Sequence, residues 1–86
     1  MDSSFWDSRY DEDGFAYGTV ANIFLSSFAS SFNAGDKVLV IGDGEGRNGV
    51  WLAEQGCEVV SVDSSSVGVE KAKKFAADKG VAIDAV

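Results

Sequence analysis

The chain has 86 residues, enough for one domain with a thin core. Hydrophobic residues make up 45% and charged residues 24%, which suits a globular protein and not a disordered one. Seven basic against 14 acidic residues leave a net charge of −7, which opposes a phosphate-tracking surface and argues against nucleic acid as a partner.

No apolar run approaches the roughly 20 residues needed to cross a bilayer, so no membrane partner is expected. The start, Met1-Asp-Ser-Ser, has no basic region of the signal-peptide kind. One cysteine and no histidine leave no internal disulfide, zinc site or imidazole chemistry. Cys57 reads as a small buried hydrophobe at the start of a strand. A soluble, cytoplasmic protein is expected.

Residues 1–18 read as an acidic, solvated N-terminal arm, with Asp2, Asp7, Asp11, Glu12 and Asp13 facing a single Arg9. Thr19 to Phe32 reads as one amphipathic helix capped by Thr19, with Val20, Ile23, Phe24, Ser27, Phe28, Ser31 and Phe32 on one face. Lys37 to Ile41 reads as a strand, and its unbroken apolar run suggests burial on both faces. Gly42, Gly44, Gly46 and Gly49 follow at once, opening a helix over about Glu45–Gln55 that Gly56 closes. Glu58 to Val62 reads as a second strand ending at Asp63. Ser64, Ser65 and Ser66 offer caps for a third helix, about Val67–Lys79, with an apolar stripe of Val69, Ala72, Phe75 and Ala76. On its wet side Glu70 and Lys74 form an i,i+4 pair. Gly80 ends that helix, and Val81–Val86 reads as a third strand. The order helix–β–α–β–α–β implies an α/β fold with a parallel sheet and right-handed crossovers, half of a doubly wound domain over residues 19–86.

The chemistry sits where strand, glycine turn and helix meet. Glycines let a ligand approach the backbone without a Cβ in the way, and the next helix aims unpaired N–H groups at the same spot. Asp63 lies 21 residues after Gly42, at the carboxyl end of the next strand, where a carboxylate accepts hydrogen bonds from ribose hydroxyls. Strand, turn, helix, strand and acid in this register indicate an adenosine-containing cofactor. Gly44, Gly46 and Gly49 satisfy the G-x-G-x-x-G dinucleotide spacing. Gly42, Gly44 and Gly46 satisfy a G-x-G-x-G spacing that begins directly after the strand and suits a nucleoside without pyrophosphate. Position favours the second set, and an NAD-type half remains the alternative.

The stretch VLVIGDGEGRNGVWLAEQGCEVVSVD, Val38 to Asp63, resembles the glycine motif and following acidic strand of class I S-adenosylmethionine-dependent methyltransferases. SSSVGVEKAKKFAADKGV resembles the next helix and loop. FWDSRYDEDGFAYGTVANIFL resembles the lead-in of the tellurite-resistance and thiopurine-type branch. The resemblance implies a Rossmann-like partial parallel sheet of three strands with flanking helices and an N-terminal helix. It implies S-adenosylmethionine as cofactor and a small-molecule methyl acceptor. Gly42, Gly44 and Gly46 would line the methionine and ribose, Asp63 would bind the ribose hydroxyls, and Ser64 would sit beside the adenine. Arg9, Tyr17 and Gly18 match lead-in residues that close over the cofactor, with Arg9 pairing to the methionine carboxylate. The alternatives are a solvated Arg9 and a packed Tyr17.

Two departures qualify the resemblance. The family's acid two residues before the first glycine, which helps hold the cofactor's amino group, is Val40 here; Asp43 could partly substitute for it, and its simpler role is to cap the next helix. Complete members are roughly twice this length or more, so a truncated chain, inactive by itself, is expected. A reading from another class is a non-catalytic module that self-associates, as a homodimer, through the apolar edge of the first strand.

Overall fold

The computed structural model describes residues 3–27 and 29–86. Three parallel strands, β1 (Lys37–Ile41), β2 (Glu58–Val62) and β3 (Asp84–Ala85), lie in the order β1-β2-β3. β1 pairs with β2 from Lys37 opposite Glu58 to Ile41 opposite Val62. β3 pairs only through Asp84 and Ala85, opposite Val60 and Ser61. The first two strands have the expected bounds, whereas the third is shorter than Val81–Val86. The reason lies in the helix before it. Val81 N–H donates to the Ala76 carbonyl and Gly80 N–H to that of Ala77, so the start of the expected strand is spent on closing the helix.

That helix, α4 (Ser66–Asp78), and α3 (Arg47–Glu54) each form one crossover. α3 ends in the same motif as α4, with Cys57 N–H on the Leu52 carbonyl and Gly56 N–H on that of Ala53. Of the three candidate serines, Ser65 caps α4, its hydroxyl accepting from Gly68 N–H at 3.1 Å. Ala72, Phe75 and Ala76 are buried as expected, with Gly68 beside them. Glu70 meets Lys73 at 3.4 Å and not Lys74, a surface contact of little weight.

Both helices cover one face of the sheet. Leu52, Cys57 and Val59 form one cluster, joined by Val38, Val40 and Phe32. Val50, Phe75 and Ala76 form the other, joined by Phe15, Val81 and Ile83. On the opposite face Leu39 is 61% and Ile41 79% exposed. The expectation that β1 is buried on both faces is therefore corrected: a pleated strand turns alternate side chains to opposite sides, and α3 and α4 cover only one.

The lead-in departs most from expectation. Residues 3–10 are not a solvated arm but a helix, α1 (Ser3–Tyr10), packed on α4. Its Asp7 carboxylate accepts from the Ser65 hydroxyl at 2.6 Å, and its Tyr10 is 5% exposed. The expected helix Thr19–Phe32 is instead a single turn, α2 (Ile23–Ser26), and a 3-10 turn (Ala29–Ser31). Asn22, not Thr19, receives the first-turn N–H, from Leu25 at 3.3 Å. Ser26 turns its hydroxyl onto the Ile23 carbonyl, the local competition by which serines interrupt helices. Val20 and Ile23 are exposed, and Phe28 lies outside the described residues.

Candidate functional site

The glycine turn, residues 42–46, folds back over the carboxyl ends of β1 and β2. Gly42 and Asp43 N–H groups both donate to the Val62 carbonyl, and Gly46 N–H to that of Asp43. Asp43 is buried. One carboxylate oxygen accepts from the Ser61 hydroxyl at 2.7 Å and the other from Gly49 N–H at 3.2 Å. The side chain thereby staples the turn to β2 and caps the first turn of α3 from outside the helix. Gly44 and Gly46 have φ of 59° and 92°. A Cβ on Gly46 would stand 2.8 Å from that of Ala72 on α4, and one on Gly44 would run into the Tyr10 ring. Glycine at these two points permits both the backbone conformation and the close packing of the neighbouring elements.

Asp63 follows β2 directly. One oxygen accepts from Gly44 N–H at 2.8 Å and the other from Ser65 N–H at 2.9 Å. A carboxylate has about four acceptor positions, so acceptor capacity remains on both oxygens. Asp63, Ser64 and Val62 line a cavity of about 370 Å³ closed by Trp6, Tyr10 and Gly42. A second cavity of about 210 Å³ shares these three residues and is bordered also by Tyr17, Gly18, Asp43, Glu45 and Arg47. The two adjoin through shared walls and together reach the size of a small-molecule site, about 300–1,000 Å³.

Trp6 and Tyr10 stack with ring centres 5.7 Å apart, and Tyr17 meets Tyr10 edge-on at 6.5 Å. Burial, with the carboxylate of Asp63 next in weight, pushes the Tyr10 hydroxyl up to about 12. It is a neutral phenol at physiological pH.

The predicted residues thus fall into two groups. Gly42, Asp43, Asp63, Ser64 and Tyr17 border the two cavities, whereas Gly44 and Gly46 are buried in the turn and border neither. Arg9 borders neither as well; its guanidinium lies over the Tyr17 ring at 5.4 Å and 4.0 Å from the Glu12 carboxylate. Val40, in the place of the family's acid, packs into the Leu52 cluster. Sequence reasoning missed Trp6, Tyr10, Glu45 and Arg47, which border the cavities. Trp6 and Tyr10 fall at i,i+4 spacing, the one local signal of a shared aromatic face.

The profile of the thiopurine S-methyltransferase family matches residues 1–84. The chain belongs to that family. No curated protein matches it. Among solved structures, one from work on the conversion of a disulfide bond into a thioacetal group during echinomycin biosynthesis superimposes with a TM-score of 0.79 at 19% identity, over 95% of this chain and 38% of that one. A S-adenosylmethionine-dependent methyltransferase from Geobacter sulfurreducens, in complex with S-adenosyl-L-homocysteine, gives 0.70 at 22% identity over 96% and 34%. One from Thiobacillus denitrificans, in complex with the same compound, gives 0.70 at 23% over 96% and 35%. These likenesses show the Rossmann-like α/β fold, and this member of the thiopurine S-methyltransferase family spans about a third of the length of the structures it matches. Among its described residues no helix is long and apolar enough to cross a membrane.

Proposed function

We propose that the paired cavities bind S-adenosylmethionine and that these 86 residues form the cofactor-binding part of a small-molecule methyltransferase. The observation that carries the reading is Asp63, held at the end of β2 by two backbone N–H groups and bordering the larger cavity with acceptor capacity left over. The residues fit the group. Asp63 would accept from the ribose hydroxyls, with Ser64 beside the adenine. Gly42, between the two cavities, has nothing within 4 Å of where a Cβ would stand, which leaves room for the sugar. Arg47, the basic side chain bordering the smaller cavity, would pair with the methionine carboxylate. Arg9 would act at one remove, by bracing Tyr17, and Gly44 and Gly46 by holding the shape of the turn. Asp43 would act by the same stapling, since its carboxylate is buried against Ser61 and Gly49. The complexes of the two bacterial methyltransferases with S-adenosyl-L-homocysteine support this cofactor over NAD.

Bound there, the cofactor supplies an electrophilic methyl group. The protein's part is to hold the acceptor in line with it, which is chiefly positioning. For this chain alone we propose binding without turnover, since it spans about a third of the length of the structures it matches. The exposed β1 edge favours a second reading, self-association as a homodimer. Titration calorimetry with S-adenosylhomocysteine and with NAD tests the main proposal. The first should bind and the second bind more weakly, and the reverse order overturns the assignment.

A further inference from the structure

Lys71 lies inside α4 and borders neither cavity, yet residues 10–16 are arranged around it. Four oxygens lie within hydrogen-bond reach of its ammonium: the carbonyls of Tyr10 and Glu12 at 2.7 Å each, that of Gly14, and the Glu45 carboxylate at 2.7 Å, so its three N–H groups serve them with one bond shared. The other Glu45 oxygen accepts from Ala16 N–H at 2.7 Å. Residues 11–14 form no helix or strand of their own, and Asp11, Glu12 and Asp13 are exposed on them. The converging carbonyl oxygens of Tyr10, Glu12 and Gly14 repel one another unless a cation sits among them. Phe15 adds an apolar anchor, with its ring 5.0 Å from that of Phe75.

We propose that Lys71 is a positioning residue for the cleft. Its charge draws the lead-in chain into a strap tied to Glu45 of the glycine turn, and so places Tyr10 at one end of the strap and Tyr17 just beyond the other. Both rings border the smaller cavity, so ligand affinity depends on a lysine that does not line it. A lysine suits the task, because a compact ammonium with three donors serves oxygens arriving from several directions and a planar guanidinium does not. Removing the ammonium would leave Glu45, 5% exposed, as a buried carboxylate without its counter-charge.

The effect on affinity rests on the cleft being a nucleoside site; the effect on the strap does not. The test is amide hydrogen exchange and S-adenosylhomocysteine titration on the 86-residue chain and on Lys71→Met. Amides of Ala16 and Gly18 should exchange about tenfold faster or more, those of β1 and β2 should keep their protection, and ligand affinity should fall about tenfold. Wild-type exchange at Ala16 and Gly18, or faster exchange with unchanged affinity, overturns the proposal. A wild-type chain that binds no nucleoside overturns the cofactor assignment instead, and the exchange still decides the role of Lys71. Should Lys71→Met lose protection in β1 and β2, Lys71→Arg decides. It keeps the charge and should keep the sheet intact and the strap tighter than in Lys71→Met; a strap as loose as in Lys71→Met, or a sheet that again loses protection, counts against the proposal.

Discussion

At the scale of single residues, Asp63 holds the glycine turn and, in the proposed site, would hold the ribose as well. Its two backbone partners are Gly44 in the glycine turn and Ser65 at the cap of α4, so it ties one to the other. Asp63→Ala should therefore weaken S-adenosylhomocysteine by about 1–3 kcal/mol, since a charged acceptor is lost. Circular dichroism on the same sample separates this from unfolding, and an unchanged affinity in a folded variant removes the ribose role. Tyr10 makes a prediction in pH. Its hydroxyl ionises near 12 in the folded chain against 10.0 unperturbed. The fold favours the neutral phenol, so this contribution to stability is complete below about pH 10 and declines as pH rises toward 12. Tyrosinate absorbance should show a late-titrating phase that Tyr10→Phe removes. Asp63, Gly42 and Ser64 were legible in the sequence because strand register places them at one end of the sheet. Lys71 and Asp7 were not. Their partners in the other's segment, Tyr10 for Lys71 and Ser65 for Asp7, lie about 60 residues away, and spacing along a chain carries no signal for a contact that only tertiary packing creates.

At the scale of elements, Ser65 joins α1 to α4. Its hydroxyl accepts from Gly68 N–H and donates to Asp7, so one buried side chain is both helix cap and interhelix link. Ser65→Ala should cost about 1–2 kcal/mol in thermal unfolding, toward the upper end for a lost cap because Asp7 loses a partner as well. Asp7→Ala should add little on top of it, and full additivity in the double variant would show that the two act separately. β1 and β2 were readable from their short apolar runs, and α3 and α4 from their apolar spacing and the glycines that follow them, Gly56 and Gly80. α1 and the broken segment over 19–32 were not. An acidic run looks like a solvated arm until Ser65 and Lys71 receive it. The phenylalanine spacing over 19–32 suggests a helix that the serines between them interrupt.

At the scale of the whole molecule, β1 stands at the edge of the described sheet, with Leu39 and Ile41 exposed on the face away from α3 and α4. Val60 and Val86 extend that apolar surface across β2 and past β3. An edge strand presents unpaired N–H and C=O groups, and an apolar face beside it adds a hydrophobic term to any pairing. Closed two-fold symmetry would let two copies of β1 pair antiparallel and continue the sheet. The chain in isolation should therefore run as a dimer at tens of micromolar by light scattering. The substitutions that test this belong on the outer face. Val40 packs into the core, so a charge there would unfold the chain and leave the interface unexamined. Leu39→Lys with Ile41→Lys places two like charges per copy beside the shared edge and leaves the covered face untouched. The double variant should run as a folded monomer with β2 and α4 protection unchanged. A wild-type chain that is monomeric at that concentration, or a variant that stays dimeric, removes β1 as the interface.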